Sequence, residues 1–283
     1  MNYRHAFHAG NFADVVKHAV LARIVVHLKE KPAAFRVIDT HAGAGLYDLA
    51  GPEASRTAEW REGIGRLVAA ELAVAARDLL APYLDAVAAF NTGGALKLYP
   101  GSPALMLHWL RPHDRLIACE REANAARALA AVLRGDKRAK ALAIDGYTAL
   151  NAYVPPRERR GLVLIDPPFE QVDEFAALAQ GLAGAQRKWP TGIYALWYPI
   201  KDARESESFA RRLGRLGIPR ILRAELMLPA CGERLRGSGL IVVNPPWRLE
   251  AELGVLIPAL ATALAPASNN SASTRIGWLA GEK

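Results

Sequence analysis

A chain of 283 residues that is 51% hydrophobic and 23% charged is globular, with enough apolar mass to bury a full core in one large domain or two small ones. Its 36 Lys and Arg outnumber 28 Asp and Glu, for a net charge of +8 and a pI near 9.7, a balance that suits a polyanionic partner without requiring one. Only Cys119 and Cys231 are present, which gives no disulfide framework and fits a reducing cytoplasm; no signal-type apolar core opens the chain, and 253–265 is too short and too interrupted by Pro258 to span a bilayer.

The first element predicted is a helix. Asn11 serves as its cap with Asp14 three residues on, and Phe12, Val15, Val16, Ala19, Val20, Ile24 and Leu28 fall at helical spacing. Phe35-Arg36-Val37-Ile38-Asp39 follows as a short β-prone run ending in Thr40-His41-Ala42-Gly43-Ala44-Gly45, a glycine turn that admits a ligand to the backbone after a first parallel strand. It is not a dinucleotide fingerprint, because the third glycine of G-x-G-x-x-G would fall on Asp48. Helix-prone sequence from about Glu53 to Phe90 then stands where a second strand would ordinarily come, so a small helical insertion over about 50–93 is expected. Ser102 and Pro103 mark the cap and first position of a helix running to Leu110.

Three further runs each end in a polar residue: Arg115 to Glu120, Ala141 to Asp145 with Gly146, and Gly161 to Asp166. This is the rhythm of a doubly wound sheet, whose ligands sit outside the carboxyl ends of the strands, so His41, Glu120, Asp145 and Asp166 are expected to converge on one crevice. A fifth run ends at Tyr198, Ile221 to Leu226 makes a sixth and Ser238 to Val243 a seventh; after the low-complexity segment 267–274, a terminal strand is expected at Arg275 to Leu279.

Chemistry concentrates in Asp166-Pro167-Pro168-Phe169. The amine of adenine or cytosine is a poor nucleophile, since its lone pair is delocalised into the ring. Methylating it requires both amine protons to be drawn into hydrogen bonds on a rigidly held base. A carboxylate and a backbone carbonyl accept those protons. Two prolines fix φ near about −65° and remove donors, which keeps the carbonyl free, and the aromatic offers a face for stacking.

The order of glycine loop, acid after the second strand, Asp after the third and D-P-P-F after the fourth resembles a class I S-adenosylmethionine-dependent N6-adenine methyltransferase. Residues 3–15, from Tyr3-Arg4-His5 to Val15, together with Asp39 to Gly45, Tyr99-Pro100-Gly101-Ser102-Pro103, Ala195-Leu196-Trp197-Tyr198-Pro199 and Asn244-Pro245-Pro246-Trp247, narrow this further. Together they resemble the RlmJ family, which methylates an adenine of large-subunit (23S) ribosomal RNA, over nearly the whole chain. The resemblance implies one α/β methyltransferase domain over 1–283, with a Rossmann-like seven-stranded mixed sheet, an N-terminal helical extension and the insertion already noted.

It also implies S-adenosyl-L-methionine as cofactor, Asp166 as the catalytic acceptor beside the cofactor, and Phe169 stacked on a flipped base. Glu120 would take the ribose hydroxyls, and Asp145 with Gly146 the adenine ring of the cofactor. His18, His41 and Ser102 are carried to the cofactor on resemblance alone, and Tyr3 with Arg4 to the RNA. Asn244-Pro245-Pro246-Trp247 follows a last strand that runs antiparallel in this architecture, so it is expected to be structural. The expected partner is large-subunit ribosomal RNA, met in the cytoplasm by a monomer without membrane or metal; His5, His8, Asp14 and His18 match no zinc spacing. The basic runs Lys137, Arg138, Lys140 and Arg157, Arg159, Arg160 read as solvated faces. A DNA adenine methyltransferase, for which no DNA-reading domain is visible, and a catalytically silent RNA-binding protein remain the other readings.

Overall fold

The computed structural model describes residues 4–229, 235–266 and 271–281; Tyr3 and Cys231 lie outside them. A single 3-10 turn at His5–Phe7 precedes helix α1 (Phe12–Lys29). Asn11 caps that helix as expected, its Oδ1 accepting the Ala13 and Asp14 N–H groups at 3.0 and 3.1 Å. Strand β1 (Arg36–Asp39) enters the main sheet, and β2 (Leu46–Asp48) and β3 (Leu98–Pro100) form a small antiparallel pair. Between those two lie four helices, α2 (Pro52–Thr57), α3 (Glu59–Glu62), α4 (Ile64–Ala69) and α5 (Val74–Ala89).

The chain then alternates: α6 (Ser102–Trp109), β4 (Arg115–Cys119), α7 (Ala123–Val132), β5 (Ala139–Leu142), α8 (Gly146–Tyr153), β6 (Gly161–Ile165), α9 (Glu174–Lys188), β7 (Ile193–Ile200), α10 (Ala203–Gly214) and β8 (Ile221–Met227). It closes with β9 (Gly237–Val243), α11 (Leu249–Leu264) and β10 (Ser273–Ala280). The main sheet runs in the order β10, β8, β9, β7, β6, β1, β4, β5. β5, β4, β1, β6 and β7 are mutually parallel, while β9 is antiparallel to both β7 and β8. The fold is that of a Rossmann-like class I methyltransferase. The sheet has eight strands and not the expected seven, because the terminal segment pairs antiparallel with β8 from Ser273 opposite Met227 to Ala280 opposite Ile221 and so joins the same sheet.

Both faces of the central strands are covered, which is why they read as continuous apolar runs. Val37, Leu162 and Leu164 face the side packed by α1, α6 and α11, whereas Ile38, Val163 and Ile165 face α8, α9 and α10. α1 is buried all round, charged residues included: Asp14, Lys17 and His18 are each under 5% exposed. Burying ionisable groups on one helix is costly unless each finds a partner; Arg23 and His27 pair with Glu252, and the partners of Asp14, Lys17 and His18 define the site.

Candidate active site

The loops that leave β1, β4 and β6 at their carboxyl ends enclose a cavity of about 1090 Å³ with the N-terminal segment and α1. β1 and β6 are adjacent strands from which the chain winds outward in opposite directions, the place where an open α/β sheet leaves a crevice. The loop after β1 is tied to both neighbouring strands, Thr40 N–H donating to Leu164 O at 3.0 Å and Ala42 N–H to Cys119 O at 2.8 Å. Gly43 and Gly45 take φ of +61° and +84°, left-handed values that side chains disfavour.

Glu120 stands directly after β4 and is held at both oxygens. Its Oε2 accepts the Gly43 N–H at 2.9 Å and its Oε1 the Glu122 N–H at 2.7 Å, so the glycine loop and the second acid are one unit. Ser102 is the first residue of α6, with Gly101 as the cap, and not the cap expected; its Oγ donates to Asp39 Oδ2 at 2.6 Å. Burial pushes the Asp39 carboxyl up to about 7 despite that bond, and its Oδ1 is buried without a partner. Asp145 does not end its strand, since β5 stops at Leu142; it caps α8 instead, Oδ1 accepting the Thr148 N–H at 2.9 Å. Gly146 begins that helix under His41. A Cβ at Gly146 would meet Thr40 O at 2.5 Å and His41 Nε2 at 2.6 Å, so no larger residue fits without moving the loop.

Asp166 follows β6 directly and is reached from α1. Lys17 Nζ donates to Asp166 Oδ2 at 2.5 Å and lies 2.9 Å from Asp14 Oδ1, while Asp14 Oδ2 accepts the Gly10 N–H at 3.0 Å and sits 2.9 Å from His5 Nε2. A line of polar contacts thus runs from the N-terminal turn through α1 to the D-P-P-F loop. Burial disfavours the charged lysine, but the carboxylates of Asp14 and Asp166 outweigh it and raise Lys17 above its usual range. Burial also works against ionisation of Asp14, and the charges of His5 and Lys17 overcome it, holding that carboxyl well below the usual range. The ammonium lies 5.8 Å from the centroid of Trp197, whose ring meets Phe169 edge-on at 5.8 Å. His18, one residue on, lines the cavity and has Nδ1 2.7 Å from the Tyr99 hydroxyl, while its Nε2 is buried and unpartnered. Burial lowers that imidazole to about 3, and that of His41 to about 4, so both are neutral at pH 7.

The match to known proteins spans these same elements. A family model described as Ribosomal RNA large subunit methyltransferase D, RlmJ, matches residues 32–280. The chain belongs to the RlmJ family. Along its whole length it is 40% identical to Ribosomal RNA large subunit methyltransferase J of Escherichia coli K12 and 36% identical to the protein of that name from Haemophilus influenzae, with both relatives covered in full. A solved structure, protein LPL1258 from Legionella pneumophila, superposes with a TM-score of 0.87 at 33% identity, covering 98% of this chain and 99% of that one.

In this RlmJ-family chain, His18, His41, Ser102, Glu120, Asp145, Gly146, Asp166 and Phe169 all line the one cavity. Arg4 lines it too, while Tyr3 lies outside the described residues. Asn244 lies elsewhere, at the far end of antiparallel β9, where its Nδ2 donates to Pro190 O and Gly192 O at 2.7 and 2.8 Å. Sequence reading missed Lys17 and left Trp197 without a role. The available signal for Lys17 was the spacing of Asp14, Lys17 and His18, polar residues at i, i+3 and i+4 in the otherwise apolar first three turns of the helix.

Proposed function

We propose that this chain transfers a methyl group from S-adenosyl-L-methionine to the N6 amine of a specific adenine in large-subunit (23S) ribosomal RNA, acting in the cytoplasm as a monomer and as one domain with 50–93 inserted. The observation that carries the reading is Asp166 at the mouth of the D-P-P-F loop, fixed by the buried Lys17 ammonium within the cavity that also holds Glu120 and His18. Membership of a family described as a large-subunit ribosomal RNA methyltransferase supports the substrate.

The donor set fits the cofactor. Among the described lining residues, ten carboxylates face four Lys or Arg, a field suited to a ligand with a sulfonium and an ammonium. His18 Nε2 is a buried polar atom in want of a partner, and Glu120, braced by two backbone N–H groups, presents a carboxylate to ribose hydroxyls. Asp145 and Gly146 are assigned to the adenine ring. When bound, the cofactor supplies a methyl group on an already activated leaving group.

The chain's own work is position and field. Asp166 and the Pro167 carbonyl accept hydrogen bonds from the two amine N–H groups of the extruded adenine, turn its lone pair into line and stabilise the positive charge that grows on nitrogen, which then releases one proton to solvent. Lys17 keeps Asp166 from swinging away, and Phe169 with Trp197 offers aromatic surface to a base taken out of its stack. No covalent enzyme intermediate is needed.

The test is to incubate labelled cofactor with total RNA from cells lacking the protein, then map the label by nuclease digestion and mass spectrometry. N6-methyladenine at one large-subunit position supports the reading. Label confined to DNA, or absent from every nucleic acid, overturns it.

A further inference from the structure

The cavity assigned to methyl transfer is acidic although the chain carries +8, so a polyanion meets its favourable field elsewhere. At the opposite ends of the parallel strands, Arg36 opens β1, Arg115 opens β4, Lys137, Arg138 and Lys140 enter β5, and Arg157 precedes β6. These six surround a recess of about 410 Å³ whose lining, among the described residues, includes no Asp or Glu. Three are already engaged: Arg36 makes two 2.8 Å bonds to Glu158, Arg138 pairs with Asp136 at 2.7 Å, and Arg115 donates to the Pro112 and Asp114 carbonyls. Lys137, Lys140 and Arg157 are exposed, and their side chains form no hydrogen bond or ion pair with any described residue. Lys137, Arg138 and Lys140 of one basic run and Arg157 of the other, read as ordinary solvated faces in sequence, therefore share one concave surface.

We propose that this recess grips the phosphate backbone of a second stretch of the substrate RNA, away from the strand that carries the target adenine. The proposal rests on ribosomal RNA being the substrate. Arginines held by their partners form a rigid floor, and three unpaired cations stand at the rim, where they can displace condensed counterions without first breaking a bond of their own. Helix C-termini at α7 and α8 also favour nearby cations, but that effect needs neither a hollow nor an absence of carboxylates. Contact here is independent of sequence. It raises affinity and encounter rate and leaves the chemical step alone.

The test compares the wild type with Lys137→Glu/Lys140→Glu/Arg157→Glu on two probes, full-length large-subunit RNA from cells lacking the protein and a short hairpin around the mapped adenine. The expected result is at least tenfold weaker binding of full-length RNA at 0.1 M salt. The log-log salt slope should be shallower by about 2, from three phosphate contacts at about 0.7–0.9 each. Single-turnover methylation of the hairpin at saturation should be unchanged. Unchanged affinity and slope on full-length RNA overturn the proposal, as does an equal loss on both probes. A lowered melting temperature with RNA binding intact assigns these cations to the helix ends and overturns it too. If wild-type protein binds full-length RNA but methylates none of it, the functional reading fails, while the variant's binding still decides the recess.

Discussion

Removing the Lys17 ammonium would leave Asp14 and Asp166 facing each other across a poorly solvated gap, with side-chain exposures of only 2% and 14%. Lys17→Met should therefore cost about 3–5 kcal/mol in urea denaturation, and adding Asp14→Asn should restore part of it; independent, additive losses would sink the linked network. Asp166→Asn keeps Lys17 paired with Asp14, so it should fold normally while single-turnover methylation falls at least about a hundredfold; activity within tenfold of wild type would remove Asp166 from the reaction. A pH effect follows from Asp39, whose carboxyl stands at about 7 in the folded chain against about 3.9 when unfolded. The folded state holds the extra proton between those values, so this group's stabilisation is complete below about 4 and is lost as pH rises through about 7. His18 acts in the opposite sense, its contribution present above about 6.5 and lost as pH falls through about 3. Asp39→Asn should flatten the melting temperature between pH 5 and 8 in calorimetry, and an unaltered slope there would clear Asp39 of the effect. The place of Asp166 in the cavity was legible because D-P-P-F is four consecutive residues after a strand, whereas Lys17 is one polar residue among several on a largely apolar helix, and its partner lies 149 residues away.

Element boundaries divide in the same way. β1, β4 and β6 were readable from contiguous apolar residues, and Glu120 and Asp166 follow their strands directly as expected. β5 was misread at its end because Ala143 and Ile144 continue the apolar run, although the backbone has already turned to let Asp145 cap α8. β10 was anticipated as a strand, but its place as an eighth member of the sheet depends on pairing with β8, which no local pattern encodes. The two Pro-Pro-aromatic segments differ by the direction of the strand before them. Asn244 takes φ of +51° and bridges two carbonyls below the sheet, so Asn244→Ala should lower stability by about 1–3 kcal/mol through the unsatisfied acceptors. Turnover of the folded fraction should stay unchanged; a stable but inactive Asn244→Ala would reverse the assignment of the two motifs.

At the scale of the whole molecule, the cavity is where separate layers meet: the N-terminal turn and α1 on one side, the loops after β1, β4, β5 and β6 beneath, and Trp197 of β7 at the flank. No one stretch of sequence carries it, and neither does the separation of an acidic cleft from a basic opposite edge, since both arise only when strand ends are gathered by the sheet. A ligand filling that cavity contacts α1 and the loops after several strands at once, so its binding to the folded chain should register as global stability. At a hundred times its dissociation constant, S-adenosylhomocysteine should add about 2.7 kcal/mol. At about 2–4 °C per kcal/mol for a chain of this order of size, the melting temperature should rise by about 5–10 °C. Glu120→Ala removes the acceptor proposed for the ribose and should weaken that ligand by about 1.5–3 kcal/mol, erasing about half to nine-tenths of the rise at fixed concentration, while NAD should shift neither protein. A shift with NAD and none with S-adenosylhomocysteine would overturn the cofactor assignment, and an undiminished rise in Glu120→Ala would move the ribose away from the second strand.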